Sequence, residues 1–207
     1  MKEVRVSRFA ALRNSSLILD DQTLVASSKS SDSFLEEMYL FFHINYPKFY
    51  KMDSLCKTAF VAAEALLRDT DLLKKYAPED IGVLLSCKHS SLDTDVKYAE
   101  SMKTASSPSL FVYTLPNVAA GEISIRHGLK GETCCFVEDS FNAALHALYV
   151  NRLLAQGAVK CCVSGWVDFF QNKAEAFFYL AEYSDNNNYP VHQSKIIDNK
   201  YQSIWKS

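Results

Sequence analysis

Ser140 is the residue whose neighbours first suggest chemistry. It follows Glu138 and Asp139 where the apolar run Thr133-Cys134-Cys135-Phe136-Val137 gives way to a helical pattern. A side chain at a strand-to-helix junction faces the free N–H groups of the first helical turn, which favour negative charge. A serine there needs an adjacent base to become a nucleophile, and two flanking carboxylates disfavour a developing anion. No Gly-x-Ser-x-Gly elbow and no ordered Ser, Asp and His set accompanies it, so a capping or surface role outweighs a catalytic one. Asp139 can itself serve as the helix cap.

The other candidates are histidines and thiols. His146 lies at i+6 from Ser140, a separation that does not superpose two side chains on a helix, and reads as a packed or interface histidine. His89 follows an apolar run and precedes Ser90 and Ser91, where loops at the carboxyl ends of parallel strands carry function, although a structural role is the preferred reading. The 6 cysteines include the adjacent pairs Cys134-Cys135 and Cys161-Cys162, with neither a disulfide framework nor a paired CxxC zinc spacing. They read as reduced, buried thiols, and Cys134 and Cys135 lie within a strand rather than at its exposed end. Phe169-Phe170, Phe177-Phe178-Tyr179 and Trp166 can line an apolar pocket, but such clusters are more often core or subunit interface.

These residues must be positioned by a folded chain. Its 207 residues suit one domain, and 48% apolar with 22% charged residues is ordinary globular composition. The balance of 22 basic against 24 acidic side chains, with no Lys/Arg stripe, argues against nucleic acid as a partner. No apolar run has the length of a signal peptide core or a membrane span, so a cytoplasmic location is expected. No pattern calls for a cofactor.

Alternation predicts a strand over Val4 to Ala10, followed by a serine-rich loop at 27–31. Ser33 and Glu36 read as a capping box for a helix through Phe34, Leu35, Met38, Phe41 and Phe42. Asp53 caps a helix through Cys56, Phe60, Ala63, Leu66 and Leu67, and Ile81 to Cys87 is a strand covered on both faces. A helix over Asp93 to Met102, an extended stretch from Ser106 to Thr114, and a helix over Val118 to His127 between Asn117 and Gly128 follow. After the strand Thr133 to Val137, Asp139 or Ser140 opens what reads as the longest helix, central and buried, which ends at Gly157. Strands Val159 to Val163 and Glu175 to Tyr183 complete the pattern; the tail from 184 to 207 is left unassigned. The alternation predicts an α/β fold with a mixed, mainly parallel, five-stranded sheet and helices on both faces.

Read in order, Ser107-Pro108-x-x-Phe111, Thr114-Leu115-Pro116-Asn117-x-x-Ala120-Gly121-Glu122-Ile123-Ser124-Ile125 and Gly128-Leu129-Lys130-Gly131, then a strand, a sharp turn and a long helix, resemble the N-terminal half of a β-ketoacyl synthase. Phe49-x-Lys51-Met52-Asp53, Ile81-Gly82-Val83 and Ala174 to Glu182 extend the likeness over about 49–182. The resemblance implies half of a thiolase-like fold, and acyl-carrier-protein-dependent fatty-acid, polyketide or polyene synthesis. It places Ser140 where the family has its nucleophilic cysteine, and the family's two C-terminal-half histidines belong to a half that would begin where this chain ends. It implies pairing through Thr133, Cys135 and Val137, either as a homodimer or with a condensing enzyme, and places Phe111 and Asn117 at an acyl pocket. The leading expectation is a non-catalytic synthase-like subunit. Half of a split condensing enzyme, a Ser140 acyltransferase or hydrolase, and an acyl-chain or carrier-protein binding module are the alternatives.

Overall fold

The computed structural model describes residues 3–204. The chain opens with a meander, β1 (Glu3–Arg13), β2 (Ser16–Leu19) and β3 (Gln22–Ala26), followed by α1 (Ser31–Phe41) and α2 (Ser54–Leu67). After the single turn α3 (Leu72–Lys75) come β4 (Ile81–Cys87), α4 (Leu92–Ser101), α5 (Pro108–Val112) and α6 (Val118–His127). Then β5 (Thr133–Val137), α7 (Ala143–Ala155), β6 (Cys161–Phe170), β7 (Lys173–Ser184) and α8 (Ser194–Ile204) complete the fold.

All strands join one seven-stranded sheet in the order β3-β2-β1-β7-β6-β4-β5. The sheet is mixed as expected, but it has two strands more than the sequence pattern suggested, and only the β4–β5 and β4–β6 pairs are parallel. Connection length explains this. Helices cross over between β4, β5 and β6, whereas Asn14-Ser15, Asp20-Asp21 and Gln171-Asn172 close hairpins in two residues at positive φ. Such primed turns suit the twist of antiparallel strands and are made here by Asn, Asp, Ser and Gln without glycine.

Alternation along the strands divides the core in two. One face carries Leu12, Val83, Leu85, Val163, Phe178 and Leu180 against α2 and α6. The other carries Phe9, Leu84, Trp166, Phe177 and Ala181 against Phe141, Val150 and Leu154, with Ile197 and Ile204 of α8. The long, centrally buried helix is α2 rather than α7: Ala59 to Ala63 are fully inaccessible, while Leu148 on α7 is 64% exposed. Asp53 caps α2 as expected, its carboxylate accepting from the Cys56 amide at 2.9 Å. The helix α1 begins earlier than its sequence suggested, with Ser30 at the cap position and no Ser33 capping box. The segment expected to be extended contains α5, capped by Ser107 with Pro108 at its first position, where a missing N–H costs nothing.

Candidate functional site

The loops after β4 and β5 carry His89 and Ser140, which border two different clefts. Gly128, at φ 67°, stops α6 as expected. Gly131 then passes so close to β4 that a β-carbon would lie 2.5 Å from the Ile81 carbonyl oxygen. This close passage sets the register of β5, whose last link is Glu138 N–H donating to Cys87 O at 2.9 Å. β5 is one edge strand of the sheet, β3 the other.

The helix beyond it starts later than the sequence suggested. Asn142 is its cap, accepting from Leu145 N–H at 3.0 Å and donating to Glu138 at 3.3 Å. Phe141 turns inward to pack on His146, Phe177 and Tyr201 at centroid distances of 5.1, 5.4 and 4.8 Å. The Phe141–His146 pair straddles the cap as a hydrophobic staple does, and this burial, with the better cap at Asn142, pulls the helix start past Asp139 and Ser140. Ser140 therefore stands two residues outside the cap, exposed, beyond the reach of the first-turn N–H groups. It borders a cleft of about 500 Å³ with Glu138, Asp139, Asn142, Lys195 and Asp198, an acidic rim that opposes a developing alkoxide.

No histidine is placed as its base. His146 is fully buried, with Nε2 2.7 Å from Ser86 Oγ and Nδ1 2.8 Å from Ser164 Oγ. Burial pushes its pKa down to about 3, so it is a neutral structural imidazole. His192 is held by Asn151 and Tyr179, His127 lies beside Glu64, and His43 is exposed on the far side of the α1 turn. The thiols are equally committed. Burial raises the pKa of Cys134, while Cys135 is pushed up by its bond to Cys87, which in turn draws Cys87 down. All six cysteines are free.

The interface residues expected on β5 lie on its open edge: Thr133 and Val137 are exposed and Cys135 is half-buried. Phe111 and Asn117 do not form an acyl pocket within the chain. Both are exposed, Phe111 leaning on Tyr98 at 5.6 Å, and Asn117 precedes α6 without a side-chain capping bond. With Val96, Met102, Val112 and Leu115, Phe111 instead belongs to an apolar surface around α4 and α5.

One constellation escaped sequence reasoning. Asp168, near the end of β6, accepts from the amides of Lys88 and His89 at 3.2 and 2.8 Å and holds His89 Nδ1 at 2.6 Å. The signal was an acidic residue between Val167 and Phe169 in an apolar strand, masked because β6 runs to Phe170 rather than ending near Val163. Among the described residues no group of three or more His, Cys, Asp or Glu could hold a metal ion, and no helix is long and apolar enough to cross a membrane.

Half of a thiolase-like α/β fold, with a strand feeding an elbow and helix, is the class that this topology defines. Residues 16–189 match the family model "Beta-ketoacyl synthase, N-terminal domain", and the chain belongs to that family. Solved structures share the fold. "The ishigamide ketosynthase/chain length factor" superposes with a TM-score of 0.64 at 18% identity, over 91% of this chain and 64% of that one. An acyl-carrier protein in complex with its type II ketosynthase, AntDE:AntF, gives 0.60 at 14% identity, over 88% of this chain and 63% of that one. The ketosynthase ApeO in complex with its chain length factor ApeC from Xenorhabdus doucetiae gives 0.57 at 10% identity, over 89% of this chain and 80% of that one. The chain thus spans less than two thirds of the length of the first two structures. No curated protein sequence matches it.

Proposed function

We propose that this chain is a non-condensing, synthase-like subunit in acyl-carrier-protein-dependent chain assembly of the polyketide, polyene or fatty-acid type. It pairs with a condensing enzyme through the open edge of β5. The observation that carries the reading is the elbow: Ser140, which the resemblance puts at the family's nucleophile position, is exposed outside the helix cap, with carboxylates beside it and no histidine on the cleft it borders. Two of the similar structures join a ketosynthase to a chain length factor, and a third holds a ketosynthase with its carrier protein, which supports a partnered role.

The surface suits such a role. An edge strand with an exposed apolar residue invites pairing, and Val137 is 57% exposed at the end of β5. Val96, Met102, Phe111, Val112 and Leu115, on and beside α4 and α5, are further exposed apolar side chains. The test is gentle purification from the native cells. A condensing enzyme should accompany the native chain and be lost from Val137→Arg, a substitution at an exposed site that leaves the melting temperature unchanged. A chain that purifies as a monomer, or whose partner tolerates Val137→Arg, would overturn the pairing.

A further inference from the structure

The His89–Asp168 pair faces a cleft that the synthase-like role does not use. The carboxylate is locked by two backbone amides, and the imidazole is locked by the carboxylate and by Phe170, on which it stacks at 4.4 Å and 11°. A carboxylate only accepts, so the Nδ1 proton belongs to the bond with Asp168, leaving Nε2 as the working nitrogen. The cleft measures about 420 Å³ and lies between the β1–β2 and β6–β7 turns, with Arg13, Asn14, Gln171 and Lys173 on its walls.

The charges of the cleft cancel in sum, Arg13 and Lys173 against Asp168 and Glu175, but they are not all paired with one another. Asp168 is committed to His89, and Glu175 is held between Arg13 at 3.4 Å and the Tyr201 hydroxyl at 2.6 Å. Lys173 is exposed and forms no ion pair among the described residues. One unpaired ammonium, two side-chain amides and a fixed imidazole nitrogen make a receptor for a small anion. The imidazole narrows the choice. In its neutral form Nε2 accepts a hydrogen bond from a P–OH; in its charged form it donates to a P–O⁻, so one proton is shared either way. A phosphate monoester, whose second ionisation falls near neutrality, satisfies both arrangements. Sulfate and phosphate diesters lack the ionisable hydroxyl and satisfy only one.

We propose that this cleft binds a phosphate monoester group, with His89 and Lys173 as direct contacts and Asp168 as the residue that positions the ring. The assignment goes beyond the synthase-like reading and stands without it, since neither a condensing partner nor the elbow enters the argument.

Inorganic phosphate titrated into the full chain and followed by NMR of the histidine rings tests it. Saturable shifts should be confined to His89, and sulfate at equal ionic strength should bind more weakly. His89→Ala and Lys173→Ala should each weaken phosphate about tenfold, the order expected for one charge-assisted hydrogen bond. Lys173 is exposed, so its variant carries the test if His89→Ala fails to fold. Asp168→Asn should weaken binding and also change the ¹⁵N tautomer signature of His89, a readout that a merely structural role would not move. Lys195→Ala, in the elbow cleft, should change nothing. Phosphopantetheine and adenosine monophosphate, titrated in parallel, distinguish pantetheine-borne from nucleotide-borne phosphate. Failure of both to displace inorganic phosphate would overturn the monoester assignment. So would equal binding of sulfate, or loss of binding in Lys195→Ala but not in Lys173→Ala.

Discussion

The elbow and the layer directly beneath it are built on opposite terms. At the surface Ser140 is exposed among carboxylates and outside the helix cap. Six residues later His146 is inaccessible and bonded at both ring nitrogens, to Ser86 on β4 and Ser164 on β6. The polar chain continues through Tyr179, within reach of Ser164, to His192 at 3.2 Å and on to Asn151 at 2.8 Å. Buried polar groups are costly unless fully paired, and fully paired they fix one arrangement of the elements that carry them. The polar residues that this junction keeps in place are structural; the position that would do chemistry is left without support.

The contrast breaks most readily at His146. Removing its ring by His146→Ala strands the buried Ser86 hydroxyl, takes a partner from Ser164 and opens a cavity, so a loss of about 5 kcal/mol is expected. Thermal melting would register this as a fall of roughly 10–20 °C. A change of only a few degrees would mean that the layer is not structural.

Acid should act on the same layer. Burial pushes the pKa values of His146 and His192 down to about 3 and about 4. Below about pH 6.5 the unfolded chain takes up protons that the native state refuses, so the unfolded state binds more protons and stability falls with falling pH. By pH 5 this amounts to roughly 2 kcal/mol for each histidine. Burial also holds His127 down to about 4, so denaturant unfolding at pH 7 and pH 5 measures the sum over three histidines, and His192→Gln should remove about a third of the histidine-linked loss. An identical pH dependence in that variant would contradict the assignment.

The smallest effects sharpen the comparison along the chain. Asn142→Ala removes the cap of α7 and should cost about 1 kcal/mol, whereas Ser140→Ala should stay within about 0.5 kcal/mol. Chemical denaturation of the two variants side by side decides whether the helix begins at Asn142. The reverse order of costs would return the cap to Ser140.

Where burial and helix signals agree, the sequence was legible. Asp53, Gly128 and the apolar runs at β4 and β5 announced their roles. The strands β2 and β3 were missed because their turns, Asn14-Ser15 and Asp20-Asp21, hold positive φ without the glycine that usually marks a hairpin. The extent of α8 was hidden in a polar tail, yet Ile197 and Ile204 dock it on the second core. At the candidate site, the family likeness pointed to the junction between β5 and α7. The sequence pattern placed the helix start too early because Phe141 must bury itself, which depends on contacts with Phe177 and Tyr201 far along the chain. The same distance in sequence hid the His89–Asp168 pair.

The central claim, that the elbow of this chain does not condense acyl groups, meets its most direct test in the isolated protein and its Ser140→Cys variant. Each is incubated with an acyl thioester and a malonyl-type extender, and intact mass and product are followed together. A cysteine there can at most accept an acyl group slowly. Condensation also requires positioned donors for the developing enolate, each worth about 10²-fold or more in rate, and no histidine of this chain lines the cleft beside Ser140. The expected result is no covalent adduct on the native chain, at most slow acylation of the variant, and no ketoacyl thioester from either. A ketoacyl thioester formed by either protein without a second chain would contradict the account.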